Sequence, residues 1–209
     1  MRRTRILLAD DHTLTLTGMR AVLEPHYDIV GTVTDGRALV DAALRLRPEV
    51  IVMDIGMPLL NGIDAAVQIK KQLHAVKLLF VTMHDSPAYL ASALHAGANG
   101  YVLKSAASEE LLEAIDSALN GSIYVSSRLS RDTLERFRDS SSAATALHLS
   151  LREREILQLI AEGRIEKEIA FLLNISIKTV GFHRENLKRK LGLRTTAELT
   201  RYALEQGLI

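Results

Sequence analysis

Short apolar segments alternate with stretches of helical spacing throughout residues 1–122. The apolar segments are Ile6 to Ala9, Ile29 to Val33, Val50 to Met53, Leu78 to Val81 and Gly100 to Leu103. They lack the regular apolar–polar alternation of a half-exposed strand, which is typical of strands covered by helices on both faces. The alternation of strand and helix therefore predicts an α/β fold with a doubly wound, parallel, five-stranded sheet.

Polar residues stand at the ends of four of these segments. Asp10 and Asp11 follow the first segment, Asp54 follows the third, Thr82 follows the fourth and Lys104 follows the fifth. Because the carboxyl ends of parallel strands meet in a crevice at the topological switch point, we expect these side chains to lie together. Crowded carboxylates raise one another's pKa unless a counter-ion is present, and a hard divalent cation such as Mg²⁺ serves that purpose.

This set of groups suits phosphoryl transfer. A carboxylate held beside a cation is a competent nucleophile toward phosphorus, and Asp54 is the candidate nucleophile. Asp10 and Asp11 would hold the metal with Asp54, and the backbone carbonyl of Gly56 would complete its oxygen shell. Since phosphoryl transfer depends mostly on positioning and charge stabilisation, one ammonium and one hydroxyl group suffice as further machinery.

Composition excludes several classes of protein. The chain has no cysteine, so disulfides, thiolate catalysis and zinc sites built on cysteine are ruled out. No run approaches the roughly 20 apolar residues that span a bilayer. The run from Ile6 to Ala9 stops at two aspartates and is too short for the core of a signal peptide. We therefore expect a cytoplasmic protein that does not contact the membrane.

The last part of the chain, residues 148–209, predicts helices and no strand. Four helices are predicted. The first begins at a capping box of Ser150 and Glu153, and the second runs from Glu166 to Leu173. The third is capped by Ser176 and runs to Leu191, and the fourth runs from Thr196 to Gly207. Two short helices joined by a tight turn, with the second richly basic, indicate a helix-turn-helix.

Charge is distributed unevenly along the chain. Residues 1–125 carry 11 Lys and Arg against 14 Asp and Glu, whereas residues 148–209 carry 11 against 8. Between Lys178 and Arg194 there are six basic residues and one acid, Glu185. Such a helix suits the major groove of DNA, with flanking cations on phosphates. A solvated basic face is the alternative interpretation of the same run.

Residues 1–122 resemble the receiver domain of two-component response regulators, which has a flavodoxin-like (CheY-like) fold. The matched positions are Asp10 and Asp11 (acidic pair), Asp54 (phosphorylated aspartate), Thr82 (switch hydroxyl), Tyr101 (switch aromatic) and Lys104 (invariant lysine). The resemblance implies that Asp54 accepts a phosphoryl group from a sensor histidine kinase with Mg²⁺ as cofactor. The domain would then catalyse only its own phosphorylation and dephosphorylation. One departure is Ser105, where the family often has proline.

A phosphatase of the haloacid dehalogenase type is a competing class, because it also uses an aspartate nucleophile and Mg²⁺. That class needs a second aspartate two residues after the nucleophile, where this chain has Gly56. The phosphatase interpretation is therefore disfavoured. His12 and His84 lie near the expected crevice, and we interpret them as peripheral polar loop residues rather than metal ligands.

Residues 148–209 resemble the LuxR-type helix-turn-helix. The matching segments include Leu149-Ser150, Arg152 to Leu157, Lys167 to Ala170, Ile175-Ser176, Thr179-Val180, His183, Lys190 to Gly192 and Gly207 to Ile209. With the receiver, this is the layout of the NarL/FixJ family of transcription regulators. The expected contacts to double-stranded DNA are Lys167, Lys178, Thr179, Gly181, Phe182, His183, Arg184 and Lys188.

Two departures fall in the DNA-binding part. Gly181 stands where many members carry lysine, which removes a cation and weakens the helix by roughly 1 kcal/mol relative to alanine. Ile165 and Glu166 stand where members often have serine and asparagine. Phe182 could contact a thymine methyl group or pack within its own domain.

We expect a partly helical linker over residues 123–147, with a short helix from Arg128 to Phe137. Phosphorylation is expected to promote a homodimer on promoter DNA. The last helix, around Ala197, Leu199, Ala203 and Leu204, would contribute either the dimer contact between DNA-binding domains or the core of one domain. The alternative function is a regulator that binds DNA without phosphorylation and uses its receiver for dimerisation.

Overall fold

The structure is a computed structural model that describes residues 2–106, 108–126, 129 and 149–209. Two compact units are present, one built around a β-sheet and one made of C-terminal helices. The linker predicted over residues 123–147 lies mostly outside the described residues. The short helix predicted from Arg128 to Phe137 also lies outside them, apart from Leu129.

The first unit contains a parallel sheet of six strands in the order β2-β1-β3-β4-β5-β6. The strands are β1 (Arg5–Ala9), β2 (Asp28–Val33), β3 (Val50–Met53), β4 (Lys77–Thr82), β5 (Gly100–Leu103) and β6 (Tyr124–Val125). The first five confirm the predicted segments. The doubly wound α/β fold is likewise confirmed.

The predicted number of strands is wrong, because β6 adds a sixth. This strand has two residues and pairs with β5 at the edge of the sheet. Backbone hydrogen bonds hold it: the Tyr124 amide donates to the Asn99 carbonyl at 3.0 Å, and the Ser126 amide donates to the Tyr101 carbonyl at 2.8 Å. A strand this short has no readable side-chain periodicity, and it falls within the segment predicted as linker.

Five helices connect the strands. They are α1 (Thr13–Leu23), α2 (Gly36–Leu46), α3 (Gly62–Gln72), α4 (Pro87–His95) and α5 (Ser108–Leu119). Alternate strand residues such as Ile6, Leu8 and Val52 pack with α1 and α5 in one hydrophobic cluster. The intervening residues, such as Leu7 and Ile51, are also fully buried. Both faces of the sheet are therefore covered, which is why the strands read as continuous apolar runs.

The second unit consists of α6 (Leu151–Ala161), α7 (Glu166–Leu173), α8 (Ile177–Leu191) and α9 (Thr196–Glu205), in agreement with the predicted helices. Ser150 and Glu153 form the predicted capping box at α6. Ser176 caps α8, its hydroxyl accepting from the Thr179 amide at 3.0 Å. Gly192 ends α8 in the left-handed conformation, with φ of 69°.

Helix α7 begins without a side-chain cap. Ile165 occupies its N-cap position and has no acceptor atom to offer the first turn. Half of a capping box remains, because the Glu168 carboxylate accepts from the Ile165 amide at 3.0 Å.

The last helix divides between the two roles considered for it. Leu199 and Ala203 are fully buried in the core of the helical unit. Ala197 is exposed, and the side chain of Leu204 is 56% exposed. Core packing therefore accounts for Leu199 and Ala203, whereas Ala197 and Leu204 lie on the outer surface of α9.

Gly62 allows α3 to start against the end of β3. A Cβ atom at this position would lie 2.0 Å from the backbone carbonyl oxygen of Asp54, a distance that no side chain tolerates. The Gly62 amide donates to the Ile55 carbonyl at 2.8 Å, which fixes the approach. Glycine here permits the close packing that positions Asp54.

We expect Gly62→Ala to lower the free energy of unfolding of the receiver unit by about 3 kcal/mol, because a backbone atom must move to admit the methyl group. The matched control is Gly18→Ala in α1, where an added Cβ meets nothing within 4 Å. That variant should gain about 0.5 to 1 kcal/mol from helix propensity. Urea unfolding of both proteins tests this, and equal stabilities would contradict it.

Candidate functional site

Two buried carboxylates lie side by side at the carboxyl ends of adjacent strands. Asp10 follows β1 and Asp54 follows β3, and the residues before them, Ala9 and Met53, are register partners. The Asp54 amide donates to the Ala9 carbonyl at 2.9 Å, which extends the ladder by one residue. Asp10 is fully buried and Asp54 is 5% exposed, so both carboxylates are largely withdrawn from water.

Lys104 supplies the counter-ion. Its Nζ lies 2.6 Å from Asp54 Oδ2 and 2.7 Å from Asp10 Oδ2, and its side chain is 10% exposed. Burial lowers the pKa of Lys104, but its close contacts with the carboxylates of Asp10 and Asp54 and their negative charges outweigh this effect and raise that pKa above the ordinary value. The ammonium group therefore stays charged and links the two carboxylates.

The site contains the oxygen ligands that Mg²⁺ prefers. Carboxylate oxygens of Asp10, Asp11 and Asp54 lie with a ring nitrogen of His12 within 4.8 Å of one another. Hard oxygen donors in this number fit Mg²⁺, so the residues present suit the cofactor that the sequence implies. The carbonyl of Gly56, in the loop after Asp54, remains a predicted ligand.

His12 is closer to the acidic cluster than the sequence suggested. Its Nδ1 lies 2.8 Å from Asp11 Oδ1 and 3.3 Å from Asp10 Oδ1, while the side chain is 67% exposed. The His12 amide also donates to Asp10 Oδ1 at 2.8 Å. A histidine directly after two aspartates was the available signal, but spacing alone did not show that its ring turns toward them.

Thr82 and Tyr101 both contact the segment that follows β4. Thr82 is fully buried, and its hydroxyl accepts from the His84 amide at 3.3 Å. Tyr101 is also fully buried, and its hydroxyl donates to the His84 carbonyl at 2.8 Å. Burial, and then electrostatic interactions with Tyr89, Asp54 and Asp85, raise the pKa of Tyr101 well above its ordinary value. The Tyr101 phenol therefore stays protonated and can donate this hydrogen bond.

Helices α7 and α8 form the helix-turn-helix of the second unit, with Asn174 in the left-handed conformation between them. The most exposed stripe of α8 carries Lys178, Phe182, Glu185 and Arg189. This spacing of four, three and four residues follows one face of a helix. The Phe182 side chain is 63% exposed and its ring meets the His183 ring edge-on, with 5.9 Å between ring centroids, so it lies on the surface of its domain rather than in the core.

The predicted DNA contacts fall into two groups by exposure. Lys167, Lys178 and Phe182 are exposed, whereas the others are partly buried: Thr179, Gly181, His183, Arg184 and Lys188. Glu185 and Arg189 lie on the outward stripe but were not predicted. Helical periodicity counted from Lys178 was the signal that would have found them.

Acidic residues lie among the cations of this surface. Arg184 Nη1 is 2.6 Å from Glu166 Oε1, and Arg184 Nε is 3.4 Å from Glu185 Oε1. Lys188 Nζ is 3.3 Å from Glu185 Oε1. The hydrogen bond from Lys188, then its charge and that of Arg184, lower the pKa of Glu185. Glu185 is therefore ionised at neutral pH.

Family comparisons agree with this architecture. Residues 6–116 match the response regulator receiver domain, and residues 147–203 match the bacterial regulatory proteins of the luxR family. The chain is 40% identical to the transcriptional regulatory protein MctR of Rhizobium johnstonii, covering 99% of this chain and 96% of that protein. It is 38% identical to the oxygen regulatory protein NreC of Staphylococcus aureus, covering 98% and 99%.

Solved structures are similar over the same length. The RcsB response regulator of Salmonella typhimurium has a TM-score of 0.65 and 30% identity, covering 99% of each chain. RcsB bound to the promoter P1flhDC with the phosphomimetic BeF₃⁻ has a TM-score of 0.61 and 31% identity, covering 96% of this chain and 98% of that chain.

The fold and the site thus define a transcription regulator that joins a receiver domain to a DNA-binding helix-turn-helix. The chain belongs to the response regulators of the NarL/FixJ family, with a LuxR-type DNA-binding domain. No helix among the residues that the structure describes has the length and apolar character to cross a membrane.

We expect Lys104→Ala to lower the free energy of unfolding by about 3 kcal/mol at neutral pH without Mg²⁺, because two buried carboxylates lose their shared cation. Since the folded pKa of Lys104 is raised, its contribution is complete below the ordinary value of 10.5 and is lost as pH rises through the raised value. The stability difference from the unmodified protein should therefore shrink in strong alkali.

Urea unfolding across pH, in the presence of a chelator, measures this difference. Lys71→Ala is the control, because Lys71 is exposed on the last turn of α3 and should change stability by about 0.5 kcal/mol or less. A Lys104 variant as stable as this control would contradict the role of Lys104 as counter-ion.

Proposed function

We propose that this response regulator is switched by phosphorylation of Asp54, with a sensor histidine kinase in the cytoplasm as donor. The observation that carries the proposal is the pair of contacts from Lys104 Nζ to Asp54 and Asp10, at 2.6 and 2.7 Å. They place a charged ammonium against the acceptor carboxylate and beside the acidic cluster. That is the arrangement needed to hold a transferred phosphoryl group.

The proposed reaction forms an acyl phosphate. A carboxylate oxygen of Asp54 attacks phosphorus, and the bond from phosphorus to the donor's histidine nitrogen breaks. Its electron pair stays on that nitrogen, which takes a proton from solvent. Lys104 and Thr82 contact the phosphoryl oxygens. Asp10, Asp11, Asp54 and the Gly56 carbonyl would hold Mg²⁺, which would supply positive charge against those oxygens.

Coupling to the rest of the receiver runs through His84 in this proposal. Its amide donates to Thr82 and its carbonyl accepts from Tyr101. A phosphoryl group that draws the Thr82 hydroxyl toward itself would move this acceptor away from the His84 amide, while the Tyr101 hydroxyl still donates to the His84 carbonyl. The segment between β4 and α4 would thereby adopt one conformation without the phosphoryl group and another with it, and so act as the bistable element of the switch.

The output of the switch is promoter binding by a homodimer. One helix-turn-helix module buries only about 600 to 1,000 Å² of protein surface on DNA, and two linked modules bind together through their effective concentration. Support comes from the relative RcsB, whose structures include dimers on DNA and a promoter complex with a phosphomimetic. Ala197 and Leu204, exposed on α9, are the candidate contact between DNA-binding domains.

Incubation with acetyl phosphate and Mg²⁺ should add one phosphoryl group, because the site needs only a donor and its metal. Intact-mass measurement detects the addition. Asp54→Ala should abolish it, and so should omission of Mg²⁺. Asp11→Asn should slow it by weakening the metal site while leaving the nucleophile intact. Labelling of Asp54→Ala to the same extent as the unmodified protein would overturn the assignment of Asp54.

Phosphorylation should also shift the mass of the particle from monomer toward dimer, since the dimer is the proposed output. Light scattering over a concentration series, with and without the phosphomimetic BeF₃⁻ and Mg²⁺, measures this shift. Asp54→Ala serves as the control that should not respond. A dimer of equal affinity in both states would instead favour the alternative, a regulator whose receiver dimerises without phosphorylation.

A further inference from the structure

An ion pair inside the helix-turn-helix engages one of the predicted DNA-binding cations. Glu166 is the first residue of α7, and Arg184 lies in the middle of α8. Arg184 Nη1 lies 2.6 Å from Glu166 Oε1, and the two side chains are 35% and 33% exposed. Glu185 places a second carboxylate 3.4 Å from Arg184 Nε. The guanidinium group of Arg184 is therefore shared between two acids of its own domain.

Arg184 and Glu166 form a close ion pair whose hydrogen-bond geometry is poor. Within the part of the chain that the structure describes, neither Glu166 Oε1 nor Arg184 Nε has a well-aligned hydrogen-bond partner. The pair is thus joined by one short contact rather than by the two parallel hydrogen bonds of a bidentate bridge. A DNA phosphate can offer Arg184 that bidentate geometry, so it is able to compete for the same guanidinium group.

Gly181 of α8 lies beside this pair. A Cβ atom added at Gly181 would lie 3.8 Å from Glu166 Oε1. Any longer side chain at 181 would therefore extend beside the carboxylate. Glycine leaves the pair open on that side.

We propose that Glu166 competes with DNA phosphate for Arg184 and thereby weakens the DNA affinity of this helix-turn-helix. This inference rests on DNA binding by the C-terminal unit and names the residue that limits it. When DNA binds, the phosphate takes over the guanidinium group and the Glu166 carboxylate returns to water. The net gain in binding free energy from the phosphate contact is therefore reduced by the free energy of the Glu166–Arg184 pair that is broken.

The test uses the full chain and a fluorescent DNA duplex of mixed sequence, because a phosphate contact needs no particular base sequence. Fluorescence anisotropy over a range of KCl concentrations gives the affinity and its salt dependence. Glu166→Gln should tighten binding about fivefold at low salt. The slope of log affinity against log salt should stay nearly the same, since Arg184 neutralises the same phosphate in both proteins and only the competing internal pair is removed.

A double-mutant cycle separates competition from simple repulsion between Glu166 and DNA. In an Arg184→Gln background, Glu166→Gln should have no effect if Glu166 acts through Arg184. The same fivefold gain in that background would overturn the proposal. Glu205→Gln is the matched control: it removes an acid from an exposed, longer ion pair with Arg201 on α9, and should leave affinity unchanged.

Glu166→Asp provides a second variant in case the loss of charge at the start of α7 impairs folding. Aspartate keeps the negative charge and withdraws it by one methylene, so it should also tighten binding while thermal unfolding stays near that of the unmodified protein. Unchanged or weaker DNA binding by both Glu166 variants, with both variants folded, would overturn the proposal and show that the ion pair only stabilises the packing of α7 against α8. No duplex binding by the unmodified chain at any salt concentration would instead contradict DNA binding itself.

Discussion

The attraction between Lys104 and two buried carboxylates is the constraint on which the receiver depends. Asp10 and Asp54 are withdrawn from water on adjacent strands, and each charge disfavours the other. The compensating cation follows β5, which is separated from β3 by β4. Strands β1, β3, β4 and β5 must therefore pair in this order for the ammonium group to reach its partners. A misplaced β5 would leave two like charges buried together.

In both sites a cluster of like charges is paired with an internal counter-ion, and the signs of the charges are opposite in the two sites. The receiver site gathers carboxylates and holds an internal cation, Lys104, while the helix-turn-helix gathers cations and holds an internal acid, Glu166. In both cases the internal counter-ion keeps the site charged and compatible with folding. The external partner must then share or displace that counter-ion. Affinity for the partner is consequently set by the strength of the internal pair as much as by the new contacts.

Much of the fold was predictable because its signals are local. Apolar runs mark five of the six strands, and Ser150, Ser176 and Gly192 mark helix ends through hydrogen bonds within a few residues. The position of Lys104 beside two carboxylates also followed, since parallel strands align their carboxyl ends. Recognition of the family strengthened these inferences without replacing them.

The features that escaped prediction depend on contacts between distant residues or on backbone bonding. Strand β6 is defined by hydrogen bonds to β5 and has too few residues for a pattern. The pair of Glu166 and Arg184 depends on how α7 crosses α8, which no spacing rule reports. The turn of the His12 ring toward Asp11 is a choice of rotamer, and composition does not determine it.

The apolar N-cap of α7 has a consequence for the ion pair between Glu166 and Arg184. Ile165 offers no acceptor to the first turn, which costs about 1 kcal/mol relative to a serine or asparagine cap. The first turn of α7 therefore opens more readily than those of α6 and α9, whose caps are complete. Glu166 lies in that turn, so each opening also separates it from Arg184. Fraying of the helix that carries its acid is thus one route by which the ion pair opens.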